Sequence, residues 1–306
     1  MSKGEKGWRA IQTENLQPLF RETILPIARE LADHPETAAV ALLGGTAHGT
    51  RNFTDCYSDI DLSLYLDIPG AEQYRSVRQF KAHCQSMLPG WLPPYVFYIQ
   101  MGGQRREVNV HQSILQIEER DDYVWDTGKR EVYTHNVEII AERNQCLTRL
   151  ILKKCVWDRD ASKIQIIRNL SQLPWYGWIN PINQYYRGFP FHSHLLLNRA
   201  VELAVETFYL LHEQDIPHCK WRIQQMQTFE EEQSEFVFLA QEALLAEDNS
   251  LDSIRRRTEL LQKMERILYL LGLRKGLYAE DDDLFGWTAK YGDEDKQLLY
   301  DARMPE

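Results

Sequence analysis

Two apolar runs, Ala38 to Leu43 and Asp59 to Leu66, stand on either side of a polar stretch that opens with Gly44-Gly45-Thr46. Each run is strand-length, and the second alternates, with Ile60, Leu62 and Leu64 interleaved among polar residues. The first run ends at two glycines, where backbone amides can approach a ligand without Cβ clashes. On a period-two strand Asp59 and Asp61 project from one face while Ile60, Leu62 and Leu64 enter the core. Two carboxylates fixed on one face repel each other unless cations lie between them. That is the requirement of a two-metal phosphoryl-transfer centre, with Mg²⁺ taking the oxygens and Gly44, Gly45 and Thr46 taking phosphates. The plainer reading is a turn followed by an edge strand with two solvated aspartates.

The flanking sequence predicts alternating helices and strands. Leu16, Phe20, Ile24, Ile27 and Leu31 recur at helical spacing, with Pro26 expected to kink or divide the helix. Tyr74, Val77, Phe80, Cys84 and Met87 mark another helix, which stops before Pro89-Gly90. Tyr95 to Met101 and Gln104 to Gln112 flank Gly102-Gly103, a hairpin signal. In the second hairpin arm Val108 and Val110 suit the core, which sends Glu107, Asn109 and His111 to the other face. Beyond about residue 140 the period is helical: Leu147–Val156, Leu195–Leu211, Phe236–Leu245 and Ile254–Leu271, the last stopping at Gly272. Between the first two, Pro174 to Phe191 reads as an aromatic and glycine-rich loop. The expected organisation is an α+β domain over 1–140 and an all-α domain over 141–306.

The order of strand, Gly-Gly-Thr, polar stretch and Asp-Ile-Asp resembles the signature of the DNA polymerase β-like nucleotidyltransferase superfamily. Gly45, Thr46, Asp59 and Asp61 match its positions one by one, and Tyr57-Ser58 and Leu62 match the form of its minimal members. The resemblance implies a palm-like mixed sheet with flanking helices, a nucleoside triphosphate (ATP or another) held by Gly44, Gly45, Thr46 and Ser58, and two Mg²⁺ ions on Asp59 and Asp61. It also implies a third carboxylate on a neighbouring strand, for which Glu107 is the candidate as metal ligand or base, with Asn109 one alternation on. The domain order is similar to that of kanamycin- and lincosamide-type nucleotidyltransferases. Pro217-His218-Cys219-Lys220-Trp221 resembles an element of their relatives, in which Lys220 would reach nucleotide phosphates.

The reaction so implied is transfer of a nucleotidyl group, AMP from ATP first, to a hydroxyl of a small acceptor, an antibiotic among the candidates. Rival readings are modification of a protein or tRNA, as in toxin–antitoxin systems, and nucleotide binding without catalysis. The net charge of −10 disfavours extended nucleic acid as a partner but leaves tRNA open. A homodimer is compatible with the resemblance. Glu202 and Glu206, one helical turn apart, read first as a salt-bridged face and second as acceptor-side bases. Trp175, Tyr176, Trp178, Tyr185 and Tyr186 read as core first and as stacking platforms second. His192 and His194 read as structural, and the acidic clusters Glu280–Asp283 and Asp293–Asp295 as solvated faces. Five scattered cysteines without CxxC pairing predict reduced thiols and a cytoplasmic protein. No apolar stretch follows Met1–Lys6 and none is long enough to span a membrane, so neither secretion nor membrane insertion is expected.

Overall fold

A computed structural model of the chain describes residues 15–49, 54–55, 58–71, 94–226, 229, 234–245 and 248–278. The expected helix at Tyr74–Met87, both acidic clusters near the C-terminus, and Cys56, Tyr57 and Cys84 lie outside the described residues. The chain divides into two compact units, 1–156 and 157–306. The break falls beyond residue 140 because the segment after it still builds the first unit.

That unit opens with α1 (Gln17–Ala32), continuous through Pro26. Proline removes the bond to the carbonyl four residues back, but Glu22 and Pro26 are both exposed, so water can serve that carbonyl. Next come β1 (Thr37–Leu43), a 3₁₀ turn at Gly44–Thr46, β2 (Ile60–Leu66), β3 (Val96–Met101) and β4 (Gln104–Ile114). A short helix, α2 (Leu115–Glu118), leads to α3 (Thr127–His135), β5 (Val137–Glu142) and α4 (Cys146–Lys154). Asp126 caps α3 by accepting from the Lys129 amide at 2.7 Å.

The sheet order is β3-β4-β2-β1-β5, with β2 and β4 parallel and the other neighbours antiparallel. It is therefore mixed, with helices on both faces. Val40, Leu42, Ile60, Leu62, Leu64, Val108 and Val110 pack with Phe20, Ile24 and Ala28 of α1. The other face carries Ala39, Ala41, Leu43 and Tyr65 against Trp125, Tyr133, Leu147 and Leu150. Because β5 pairs with β1 and α4 packs on that second face, residues 137–154 belong to the sheet unit. On the same face Glu118, 4% exposed, takes both Lys129 Nζ (2.7 and 2.8 Å) and Trp125 Nε1 (2.5 Å).

The second unit is helical. It comprises α5 (Arg159–Pro174), a π-helical turn at Trp175–Ile179, α6 (Asn180–Tyr186), α7 (Pro190–Leu211), α8 (Arg222–Met226), α9 (Ser234–Leu244) and α10 (Leu251–Arg274). The stretch expected to be a loop, 174–191, is thus mostly helix. Pro181 and Pro190 fall in the first turns of α6 and α7, where a missing N–H breaks no bond. The Thr258 hydroxyl donates to the Gly177 carbonyl at 3.1 Å within the π turn. The last helix runs through Gly272 instead of stopping there. Arg257, 2% exposed, joins three helices by donating to Ala243 O (2.6 Å), His194 Nδ1 (2.9 Å) and Asn198 Oδ1 (2.5 Å). Burial alone pushes its pKa down to about 10. Burial and then the Arg257 charge hold His194 below the usual imidazole range, which suits its acceptor role and a structural reading.

Among the described residues no helix is long and apolar enough to cross a membrane. Cys146, Cys155 and Cys219 are free thiols.

Candidate active site

β1 delivers the chain to Gly44, whose φ of +65° is a left-handed conformation that glycine adopts without strain. Its amide donates to the Asn136 carbonyl at 2.8 Å. The carbonyls that follow are all drawn to α1: Gln17 Nε2 donates to Gly45 O (2.9 Å) and Ala47 O (2.5 Å), and Arg21 Nη1 donates to Thr46 O (3.4 Å). Arg21 is itself fixed by a two-pronged bond to Glu138 on β5, one arm at 2.7 Å, and Glu138 also accepts from the His48 amide at 2.7 Å. With its carbonyl engaged by α1, Gly45 lies in the first turn of the 3₁₀ helix, where its amide has no intrahelical acceptor, and the Thr46 amide closes that turn. Gln17, Arg21 and Glu138 carried no signal in the sequence, because polar positions on an amphipathic helix or on a strand read as solvated.

Asp61 lies in the central strand, paired with Leu43 at the end of β1 and with Asn109 on β4. The Gly44 turn therefore abuts Asp61: a Cβ on Gly44 would stand 3.7 Å from Asp61 Oδ2. The other oxygen, Oδ1, meets His111 Nε2 at 3.0 Å, and Asn109 Nδ2 donates to Asp59 Oδ2 at 3.0 Å. The bond to Asp61 raises the His111 pKa; desolvation opposes this, the charges of Asp61 and Asp59 add to it, and Lys129 lowers it. Asp59 is exposed, and the Asp61 side chain keeps 31% of its accessible area.

Glu107 sits elsewhere. It is exposed and accepts from the Tyr98 hydroxyl at 3.3 Å, beside Arg105, whose guanidinium lies 3.8 Å from the Tyr98 ring centroid. The parallel register sets Val108 beside Ile60 and Asn109 beside Asp61, so the side chains that reach the aspartates are Asn109 and His111. Among the described residues no three His, Cys, Asp or Glu side chains are gathered to hold a metal ion. Two oxygen donors remain suited to a hard cation: Asp61 Oδ2 faces the space that a Gly44 side chain would fill, and Asp59 Oδ1 takes no donor from the described residues. A Mg²⁺ site of one or two carboxylates completed by water and substrate phosphate matches that set.

Ser58 closes a turn with Asp55, whose amide donates to Ser58 Oγ at 3.0 Å. Lys220 lies in the second unit, exposed, with Nζ 5.6 Å from the Trp221 ring centroid. Glu202 pairs with Arg199 and Glu206 with Arg222, each at 2.9 Å, as a salt-bridged helix face does. Trp178 is buried and Tyr176 and Tyr185 pack on the core, while Trp175 and Tyr186 are exposed.

No family model matches the chain, and no curated protein matches it in sequence. Among solved structures it is similar to a nucleotidyltransferase-like protein from Exiguobacterium sibiricum 255-15. The TM-score is 0.41 and the identity 14%, over 83% of this chain and 77% of that one. A similarity this low identifies no activity.

The Arg21–Glu138 clamp carries a pH signature. The bond from Arg21, followed by that from the His48 amide, holds the Glu138 carboxyl below its usual 4.5, against desolvation. A depressed carboxylate contributes stability above the unfolded pKa and loses it as pH falls through the folded one. Glu138→Gln is expected to cost about 1–2 kcal/mol at pH 7. The gap from the parent should close as pH drops below 4.5, as read by urea melts at several pH values. A pH-independent gap would assign the cost to packing instead.

Proposed function

We propose that the first unit binds a nucleoside triphosphate with Mg²⁺ and that the protein transfers its nucleotidyl group to a hydroxyl of a small acceptor. The observation that carries this reading is the abutment of the Gly44–Thr46 turn and Asp61. The amides of a glycine turn and a pair of carboxylates, opposite in what they bind, meet where β1 ends beside the start of β2. Amides bind phosphate oxygens, carboxylates bind the cation that neutralises them, and a triphosphate with its cation satisfies both.

The residues divide the work as follows. Gly45 and Thr46 amides would take the outer phosphates, held in place from behind by Gln17 and Arg21. Asp59 and Asp61 would hold Mg²⁺, which when bound supplies charge neutralisation at the transferred phosphate and lowers the pKa of an attacking hydroxyl. Asn109 and His111 orient the two carboxylates by one bond each. Lys220 and the second unit are proposed to contribute to nucleotide and acceptor binding. A small hydroxylated acceptor, an antibiotic among the candidates, is preferred to nucleic acid on the net charge of −10.

A second reading, nucleotide binding without transfer, is favoured by the position of Glu107, which joins Tyr98 and leaves the aspartates without a third carboxylate among the described residues. Titration calorimetry with ATP, with and without Mg²⁺, tests what the two readings share. Binding that requires Mg²⁺ and weakens at least about tenfold in Asp59→Asn is expected. No binding of any nucleoside triphosphate in excess Mg²⁺ sinks both. Binding without pyrophosphate release over a panel of hydroxylated acceptors leaves the second.

A further inference from the structure

The helix α3 packs on the sheet face that carries Asp61, and it reaches both halves of the candidate site. Leu43 lies opposite Asp61 in the β1–β2 pair, so the two side chains share a face, and Tyr133 of α3 belongs to the core on that face. The Tyr133 hydroxyl stands 2.6 Å from the Ser63 hydroxyl, two residues beyond Asp61 on β2, and both are buried. At the C-terminal end of the helix the cap residue, Asn136, takes the Gly44 amide on its carbonyl at 2.8 Å.

Asn136 is fully buried and is held by α3 twice. Its amide donates to the Val132 carbonyl at 2.8 Å, and its side-chain Nδ2 donates to Glu131 Oε1 at 2.9 Å. Glu131 is 3% exposed. A carboxylate in such a place is costly unless its oxygens are bonded, and an apolar residue would pack α3 on the sheet without that cost. What Glu131 provides is an acceptor that fixes Asn136. The chain then enters β5, where Glu138 accepts the His48 amide at 2.7 Å. Residues 136–138 therefore hold the turn at its first residue, Gly44, and again just beyond it, at His48.

We propose that Asn136, fixed by Glu131, is a positioning residue for the nucleotide, acting through Gly44; this rests on the nucleotide-binding reading above. Two consecutive glycines have more backbone freedom than any other pair, so the Gly44-Gly45 turn keeps one shape only while its neighbours impose it. Gln17 and Arg21 hold its carbonyls from α1, and Asn136 holds the amide at which it begins. The Gly45 amide lies one peptide further on, so a shift of Gly44 carries it away from the phosphate it would meet. With Tyr133 on the strand of Asp61 and Asn136 on the turn, α3 also sets the spacing between the proposed phosphate and cation sites. A misplacement of about 1 Å can cost about a hundredfold in rate.

The test is calorimetry on the full chain with Mg-ATP, beside a urea melt of each variant. Asn136→Ala, which takes the donor from Glu131, is expected to weaken Mg-ATP binding at least about tenfold. Should circular dichroism show that variant unfolded, Asn136→Ser, whose shorter hydroxyl does not span to Glu131, is read in its place. Glu131→Gln keeps an oxygen for Asn136 Nδ2 and is expected to bind within roughly threefold of the parent. Trp125→Phe separates positioning from stability, since it likewise takes a donor from a buried glutamate, Glu118, on the same sheet face. It is expected to lower the urea midpoint as Asn136→Ala does, yet to keep Mg-ATP affinity within roughly threefold. The proposal is overturned if the folded Asn136 variant binds as the parent does, if Trp125→Phe loses as much affinity, or if Glu131→Gln loses as much as Asn136→Ala. A parent that binds no nucleoside triphosphate would instead sink the nucleotide-binding reading, and this inference with it.

Discussion

Asp61→Asn is expected to abolish measurable nucleotidyl transfer while leaving the fold intact. The substitution keeps the size of the side chain and an oxygen for His111, and removes one negative charge beside the Gly44 turn. The stability cost should be small. The Asp61 and His111 side chains keep 31% and 57% of their accessible area, and a solvent-screened pair of this kind contributes about 0–1 kcal/mol. Activity should respond differently, because in the proposed reaction the charge that is lost would place the cation against the transferred phosphate. Each 1.4 kcal/mol of lost transition-state stabilisation is about tenfold in rate, so a loss of roughly 4 kcal/mol is about a thousandfold. The readout is pyrophosphate release from ATP with a panel of hydroxylated acceptors, beside a urea melt of the same variant. An Asp61→Asn protein as active as the parent would show that the chemistry lies elsewhere. A parent inactive with every small acceptor that nonetheless labels protein or tRNA from α-labelled ATP would transfer the proposal to a macromolecular acceptor.

The parts of this site that were legible in the sequence are those written locally. Gly44-Gly45-Thr46 after an apolar run, and Asp59-Ile60-Asp61 at period two, need only strand geometry to be placed. The Gly102-Gly103 hairpin is of the same kind, and its register pairs Met101 with Gln104 as a two-residue turn requires. What could not be read was written across distance. Which residues of β4 reach the aspartates depends on the parallel register with β2, and a shift of two residues exchanges Glu107 for Asn109 without altering which face is buried. The clamp of Gln17 and Arg21 on the turn spans from α1 to β1, and its anchor Glu138 lies on β5. No local pattern links those positions. In the second unit the opposite error arose. Proline and glycine between 174 and 191 are loop signals by composition, yet Pro181 and Pro190 occupy first-turn positions where proline is favourable, so the signal marks helix starts.

Gly272→Ala is expected to destabilise the second unit, reversing the sign that helix propensity alone predicts. Alanine in place of glycine within an exposed helix normally stabilises by about 1 kcal/mol. Gly272, however, is buried near the end of α10, where the chain folds back: the Leu277 amide donates to the Gly272 carbonyl at 3.1 Å and brings the Tyr278 ring down on the glycine. A Cβ there would collide with the Tyr278 hydroxyl and ring, Cε1 lying 2.6 Å away. The ring has little freedom to give. It is 6% exposed, stacks on Tyr269 at a centroid distance of 5.6 Å, and donates to the Tyr269 carbonyl at 2.8 Å. Displacing it gives up part of an aromatic burial of about 1.5–3 kcal/mol and a hydrogen bond of about 1 kcal/mol. The net effect expected is a loss of about 2 kcal/mol, read as faster amide hydrogen exchange along α10, which reports on this unit alone. The decisive comparison is the Tyr278→Ala background, where the three atoms nearest a Cβ at residue 272 are removed and the same Gly272→Ala change should stabilise by about 1 kcal/mol. The same sign in both backgrounds would mean that the ring does not dictate the glycine, and that some other feature of α10 does.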